Sequence, residues 1–179
     1  MVGLSFALYG AGSMQFFTFG PDFFVSKGIS NTQAGLLSSY PMWPTIFLAP
    51  LVGILIDRFK KTWLFVSIGC IGASMMLVVI LFQTQYLVLS TLIFGIFLMM
   101  LVPAIYALPA EILPEEKMGF GFGLLTMAFS FGIFLGSLLV GSIRDSSGDY
   151  QYGFYFMAAT TFVAIFPMII IGWKQANQK

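Results

Sequence analysis

The sequence predicts an all-α integral membrane protein with six transmembrane helices, arranged as two inverted three-helix repeats. Three observations lead to this prediction. Of the 179 residues, 59% are hydrophobic and 8% are charged, with a mean hydropathy of +0.95, whereas a soluble chain carries roughly a quarter charged residues. The charged residues are clustered, and the uncharged stretches between them allow about six crossings of roughly 20 residues each. Finally, when the sequence is shifted against itself by a fixed number of residues, matching residues align and divide the chain into two similar parts.

Hydropathy and helix-breaking residues place the six spans. The predicted spans cover about residues 2–20, 34–56, 63–82, 86–108, 118–143 and 152–173. The first span is predicted to end at Pro21-Asp22, and Pro41, Pro44 and Pro50 are expected to kink the second. The uncharged N-terminus lacks the basic region that opens a secretory signal, so it is predicted to be the first membrane helix.

The distribution of basic residues predicts the orientation, because cytoplasmic loops of membrane proteins carry an excess of lysine and arginine. If the N-terminus is cytoplasmic, the basic residues on that side are Arg58, Lys60, Lys61, Lys117, Lys174 and Lys179. Only Lys27 and Arg144 then fall on the outer side. We therefore expect a multi-pass protein with both termini in the cytoplasm.

An internal repeat appears when the sequence is shifted by 88 residues, which places Pro21 on Pro109 and Asp57 on Asp145. The same shift aligns Gly35-Leu36-Leu37 with Gly123-Leu124-Leu125, and Leu51-Val52-Gly53 with Leu139-Val140-Gly141. The two copies are about residues 1–85 and 86–179, both within one six-helix bundle that spans residues 1–179. Since three helices separate equivalent positions, the copies enter the membrane from opposite sides, as in many secondary transporters.

The composition argues against enzymes and against nucleic-acid binding. The chain has no histidine, so it has neither a Ser–His pair nor an HExxH zinc site, and it lacks a phosphate-binding loop of the GxxxxGK[ST] type. A formal net charge of +1 without a basic stripe does not suit nucleic acid. The single cysteine, Cys70, excludes a disulfide framework. We expect no catalytic residue, no metal and no cofactor.

Three stretches carry a resemblance to a known family. The segment from Gly53 through Asp57-Arg58 to Lys60-Lys61 resembles the signature between the second and third helices of a half of the major facilitator superfamily, although Lys60 stands where a second glycine is expected. Residues 110–121 are similar to the loop between the fourth and fifth helices of such a half. Residues 136–154 are similar to the end of a half, in the form typical of the C-terminal one.

This resemblance implies that the chain is the C-terminal six-helix half of a secondary transporter, which moves a small solute by alternating access between two bundles. Its partners would be the lipid bilayer, a small-molecule substrate, and an N-terminal six-helix half or a second copy. The alternative is a complete half-size protein, acting either as a homodimeric transporter or as a non-transporting membrane assembly subunit. The sequence leaves the substrate and the coupling ion open.

A cytoplasmic gate is the first candidate site. Its predicted residues are Gly53, Asp57, Arg58, Lys60, Lys61 and Glu111. Gly53 would let a neighbouring helix approach closely, and Asp57 could accept hydrogen bonds from a helix N-terminus across the cytoplasmic mouth. Glu111 could pair with Arg58 or Lys61. The alternative is that these groups are solvated loop charges.

A substrate cavity is the second candidate site. By the resemblance, its lining candidates are Tyr9, Gln15, Tyr40, Tyr106, Thr126 and Ser130. The alternative is that small polar and glycine residues serve helix packing, as expected for Gly132-x-x-x-Gly136. Gln15 stands apart because an amide in hydrocarbon requires hydrogen-bond partners or water. No charged residue falls at mid-membrane depth in the predicted spans, although such charges commonly mark proton and ion sites.

Overall fold

The computed structural model describes residues 1–59, 61–101 and 114–176, except for the side chains of residues 172 and 174–176. The helices in these ranges are α1 (Val2–Ala11), α2 (Gln15–Ser26), α3 (Asn31–Ser39), α4 (Met42–Phe59), α5 (Thr62–Phe82), α6 (Leu87–Met99), α7 (Met118–Ser147), α8 (Gln151–Val163) and α9 (Ile165–Ala176). A 3₁₀-helix, Glu115–Lys117, leads into α7. The described part of the chain is thus all-helical apart from short connections.

Four helical segments are long and apolar enough to cross a membrane. They are Asn31–Phe59, Thr62–Phe82, Glu115–Ser147 and Gln151–Ile171, which correspond to the predicted second, third, fifth and sixth spans. The apolar helix α6 is shorter, and it begins one residue after the predicted start of the fourth span. A count of six crossings also requires α1–α2 and the fourth span, and it stays a prediction.

Prolines explain two of the interruptions inside spans. A proline ring clashes with the carbonyl four residues earlier, which for Pro44 is that of Tyr40, between α3 and α4. For Pro167 it is the carbonyl of Val163, where α8 ends. The predicted end of the first span at Pro21-Asp22 is wrong, since α2 continues through Pro21 to Ser26. Membrane helices tolerate such a proline where neighbouring groups compensate for the lost hydrogen bond.

Glycines with positive φ end two helices instead. Gly28 follows Lys27, the cap of α2, and has a φ of 85°, and Gly148, the cap of α7, has a φ of 70°. Glycine adopts this left-handed conformation without a steric penalty and so commonly ends helices. The next helix after Gly28 begins at a polar cap, because the Ser30 side chain accepts a hydrogen bond from the backbone N–H of Gln33.

The spans pack in a defined set of pairs. The α1 helix lies against α7 and also contacts α8 and α9, while α4 packs on α6. The third span, α5, contacts α6 and both helices of the sixth span. The α2 helix packs mainly on α3. First with fifth, third with sixth, third with fourth, and second with fourth are therefore the main pairs of predicted spans.

An aromatic cluster fills the interior where these pairs meet. The Phe16 ring centroid lies 4.9 Å from that of Phe94 and 6.2 Å from that of Phe154, in edge-on geometry. Phe23 lies 4.3 Å from Phe154, and Phe24 lies 5.3 Å from Phe23. All five side chains are at most 3% exposed. Edge-on and tilted pairs of this kind favour tight packing, and the cluster fastens α2 to α6 and α8.

Candidate transport core and cytoplasmic gate

Three glycines bring the first and fifth spans into backbone contact, and we call them the glycine seam: Gly10 on α1, with Gly132 and Gly136 on α7. A Cβ atom added to Gly132 would lie 2.0 Å from the backbone oxygen of Ala7. One added to Gly136 would lie 2.5 Å from the backbone oxygen of Ala11, and one on Gly10 would lie 2.8 Å from the α7 backbone. Small residues allow this close approach in membranes, so the predicted packing role of Gly132-x-x-x-Gly136 is confirmed.

The first span is interrupted between α1 and α2, directly beside this seam. A Cβ atom on Gly12 would lie 2.2 Å from Thr161 Oγ1 and 2.7 Å from the backbone oxygen of Met157, so α8 occupies the space next to the break. The Ser13 hydroxyl lies 3.0 Å from the Thr161 hydroxyl. The break is therefore held on one side by hydroxyl groups of the sixth span.

Gln15 holds the break on its other side. Its side chain is fully buried, and Nε2 donates to the backbone oxygens of Gly10 and Ile133, each at 3.0 Å. Its Oε1 accepts a hydrogen bond from Ser137 Oγ at 2.9 Å. The amide thus has protein partners on both its nitrogen and its oxygen, contributed by α1 and α7.

Tyr9 lies inside the bundle next to the seam. It is 1% exposed, and its ring stacks on Phe129 with centroids 6.0 Å apart and an interplanar angle of 19°. Among the described residues its buried hydroxyl has no hydrogen-bond partner. The described helices of this chain cover both Tyr9 and Gln15.

The remaining cavity candidates lie apart from this buried region. Thr126 and Ser130 are exposed on α7. Tyr40 is half-buried at the end of α3, where its ring meets Trp43 edge-on at 5.5 Å. Tyr106 lies outside the described residues. The structure therefore does not bring the five described candidates into one enclosed cavity.

A groove of about 690 Å³ opens between α3 and the beginning of α6. Its walls are mainly apolar, and Gln33, Thr84 and Gln85 supply polar groups at its loop end. Of the predicted cavity residues that the structure describes, Tyr40 lines it. Sequence reasoning did not find this groove, because the two helices that form it are far apart in the chain.

The predicted gate residues lie at the junction of α4 and α5. Asp57, Arg58 and Lys61 are exposed, and within the described ranges none of the three forms an ion pair. Gly53 is half-buried, and a Cβ atom there would meet nothing within 4 Å. Lys60 and Glu111 lie outside the described residues, so a pair between Glu111 and Arg58 or Lys61 stays a prediction.

Lys27 makes a contact that the sequence does not indicate. Its ammonium group donates to the backbone oxygen of Leu81 and, at 3.4 Å, to that of Gln83, at the C-terminal end of α5. The same group lies 4.6 Å from the centroid of the Phe23 ring. Partial burial lowers the pKa of Lys27 below its ordinary value. A cation at this position satisfies terminal carbonyls and suits the negative end of the helix dipole.

Arg144 occupies the same end of the bundle. Its guanidinium donates to Asp145 at 3.0 Å, and it lies 5.3 Å from the centroid of the Tyr150 ring. Both groups of the ion pair are exposed, so its contribution to stability is small.

Comparison with known proteins places these features in a family. The family model of the Major Facilitator Superfamily matches residues 1–177 of this chain. The chain is 25% identical over 159 residues to the lysosomal dipeptide transporter MFSD1 of Danio rerio, covering 87% of this chain and 34% of that protein. It is 24% identical over 149 residues to MFSD1 of Homo sapiens, covering 82% and 32% of the two chains.

A bacterial relative is similar to the same extent. The quinolone resistance protein NorA of Staphylococcus aureus strain Mu50 is 26% identical over 153 residues, which cover 84% of this chain and 39% of that protein. The chain thus spans about a third of the length of the curated relatives that it matches. Because the family match extends over nearly all of its residues, this chain belongs to the major facilitator superfamily.

Proposed function

We propose that the chain is the C-terminal six-helix half of a secondary transporter that moves a small solute by alternating access, with both termini in the cytoplasm. In this mechanism two bundles rock about a central site and expose it to each side of the membrane in turn. The pairing of spans supports an inverted repeat. A shift of 88 residues converts the first–fifth pair, α1 with α7, into the fourth–second pair, α6 with α4, and both pairs pack closely.

Open glycines on the second and fifth spans are the observation that carries the proposal. A Cβ atom on Gly35, Gly53, Gly119 or Gly123 would meet nothing within 4 Å. In membranes, small residues on a helix surface commonly serve contact with another helix. These four glycines have no such contact within the described ranges, whereas those of the glycine seam do. We assign their faces to a second six-helix bundle.

The substrate that we propose is a small organic molecule. The curated relatives are named as a dipeptide transporter and a quinolone resistance protein. The middle of every predicted span in this chain is free of acidic and basic residues, so this half would supply neutral contacts such as those of Thr126 and Ser130. A charged group on the substrate would then be bound by the other bundle.

Transport by the purified protein in proteoliposomes tests this function. We expect uptake of at least one member of a panel of dipeptides and quinolones, saturable and dependent on the protein. Gly123→Leu places a large side chain into open space, so the bundle should still fold while uptake is lost through the contact with the second bundle. Met75→Leu, at a 63% exposed position of α5, is the matched control. Normal uptake by Gly123→Leu would contradict the assignment of this face.

The cytoplasmic gate is a proposal of the same kind. The exposed Asp57, Arg58 and Lys61, with Lys60 and Glu111, would close the cytoplasmic side by pairing with groups of the neighbouring loop or the other bundle. Asp57→Asn and Arg58→Ala are then expected to lower the rate of uptake. Asp22→Asn is the control, because it removes an exposed carboxylate from α2, at the end of the first span that is predicted to face away from the cytoplasm. It is expected to leave the rate of uptake unchanged. Equal uptake by all variants would remove the gating role.

The second candidate is a complete half-size protein, active as a homodimer or present as a non-transporting assembly subunit. The same open glycines favour it, because a second copy could cover them. Chemical crosslinking in lipid distinguishes the possibilities. A homodimer gives a product at twice 19.7 kDa, whereas a longer transporter polypeptide gives an internal crosslink. A non-transporting subunit would show no ligand-dependent thermal shift with any compound of the panel.

A further inference from the structure

The break in the first span is bridged by a side chain. Across the interruption, the backbone N–H groups of Gln15 and Phe16 donate to the oxygens of Gly12 and Ser13, three residues earlier, at 3.1 and 3.3 Å. In a continuous α-helix the oxygen of Gly10 would accept from the backbone N–H of Met14. Here it accepts from Gln15 Nε2 at 3.0 Å. The amide side chain thus supplies a donor to a carbonyl that faces the break.

The same side chain ties the break to the fifth span. Nε2 also donates to the Ile133 oxygen at 3.0 Å, and Ser137 Oγ donates to Oε1 at 2.9 Å. These partners are 118 and 122 residues away in the sequence. Since an unpaired amide in an apolar interior is strongly unfavourable, the geometry in which all these bonds form is favoured.

The two halves of the first span are held in different ways. The α1 helix is fixed to α7 by the backbone contacts of the glycine seam, and to α9 by the hydrogen bond from Ser5 Oγ to the Ala164 oxygen at 2.9 Å. The α2 helix is held by side chains: the aromatic cluster, and the approach of Gly20 to the Ser38 hydroxyl. Side-chain contacts can slide or change rotamer, whereas backbone contacts at these distances cannot.

We propose that Gln15 is the positioning residue of a hinge in the first span: it fixes the break against α7 and sets the angle at which α2 leaves α1. The α1 helix and α7 then move as one unit, and α2 tilts about residues 12–14. This inference deepens the proposed function, on which it rests, because alternating access requires parts of the bundle to change their angle. It assigns Gln15 to the control of that angle rather than to contact with substrate.

Distances between spin labels test the hinge without any substrate. With Cys70→Ala as background, one labelled pair at Leu4→Cys and Asp22→Cys spans the break, about 27 Å apart if the span were straight at 1.5 Å per residue. A second pair at Leu4→Cys and Met127→Cys joins α1 to α7. All three labelled positions are exposed. Both pairs are measured in lipid nanodiscs by pulsed electron paramagnetic resonance.

In Gln15→Met, which keeps the length of the side chain but removes its hydrogen bonds, we expect a broader or displaced distribution for the pair across the break. The pair between α1 and α7 should stay narrow, because the glycine seam is intact. Ser137→Ala removes one of the bonds and should give a smaller change of the same kind. Ser74→Ala, which removes a buried hydrogen bond from α5 to the Ala158 oxygen at 2.8 Å, should change neither distance.

An unchanged distribution across the break in Gln15→Met would overturn the hinge, as would equal broadening of both pairs. If Gln15→Met does not fold, Ser137→Ala decides, and an unchanged break distance there overturns the proposal. Because these distances need no transported compound, failure of every uptake assay would count against the proposed function while leaving the hinge measurable.

Discussion

Replacing Gly132 by alanine tests whether the glycine seam holds the first span to the fifth. The new Cβ atom would lie 2.0 Å from the oxygen and 2.6 Å from the Cα atom of Ala7, all in the α1 backbone. Ordinary van der Waals contact begins at 3.4 Å, so α1 and α7 would have to separate by more than an ångström. Such a shift would lengthen the 3.0 Å bond from Gln15 to the Ile133 oxygen beyond hydrogen-bond range.

The expected loss of stability is the balance of three terms. Overpacking costs about 1–3 kcal/mol, and a lost hydrogen bond between membrane helices costs about 0.6 kcal/mol. Alanine recovers about 1 kcal/mol as the better helix former. The net loss is therefore about 2 kcal/mol, which for a chain of this size lowers Tm by roughly 4–8 °C.

This change in Tm is measured by thermal unfolding in detergent, followed by intrinsic tryptophan fluorescence or by a thiol-reactive fluorescent dye. Gly123→Ala is the matched control on the same helix, since its Cβ atom would meet nothing within 4 Å. In the isolated bundle the control should keep or slightly raise Tm. An equal Tm for Gly132→Ala and Gly123→Ala would refute the argument that backbone contact at Gly132 holds α1 to α7.

Three further outcomes follow from the described contacts. Lys27→Met removes a cation from the C-terminal carbonyls of α5 and from the Phe23 ring. We expect a loss of about 1 kcal/mol in unfolding free energy, after discounting for solvent screening because Lys27 is exposed. Lys117→Met, at an exposed position without these contacts, should have no effect. Ser74→Ala should cost about 0.6 kcal/mol, the usual value for a hydrogen bond between membrane helices, and a loss several times larger would contradict this estimate. Cys70 is fully buried, so a membrane-permeant maleimide should label it only after unfolding in dodecyl sulfate, and rapid labelling of the folded protein would contradict its place in the core.

The sequence predicted much of the helical framework because its determinants are local. Long uncharged stretches identify apolar helices wherever they lie, and Pro41 and Pro44 interrupt the second span where their missing N–H groups and rings require it. The predicted helix end at Pro21 is wrong for a non-local reason. Whether a helix continues past a proline depends on the groups around it, and hydropathy does not reveal those groups.

The candidate site was harder to predict because it depends on contacts between distant residues. The sequence showed that the amide of Gln15 needs partners, but a water-filled cavity and two backbone carbonyls would satisfy that need equally well. The contact of Lys27 with the end of α5 joins residues 54 positions apart, and no periodic pattern records it. Glycines are ambiguous for the same reason: Gly132 is covered by α1 while Gly123, on the same helix, faces open space.

The central claim is that the open faces of the second and fifth spans lie against a second six-helix bundle. A photo-crosslinking amino acid placed at Ile54 on α4 and at Leu124 on α7, which are 63% and 57% exposed, tests it in native membranes. Met75 on α5 is the control. If these faces lie against another bundle, Ile54 and Leu124 should give protein crosslinks that mass spectrometry maps to helices of that bundle, and Met75 should give lipid adducts. Lipid adducts alone at all three positions would contradict it.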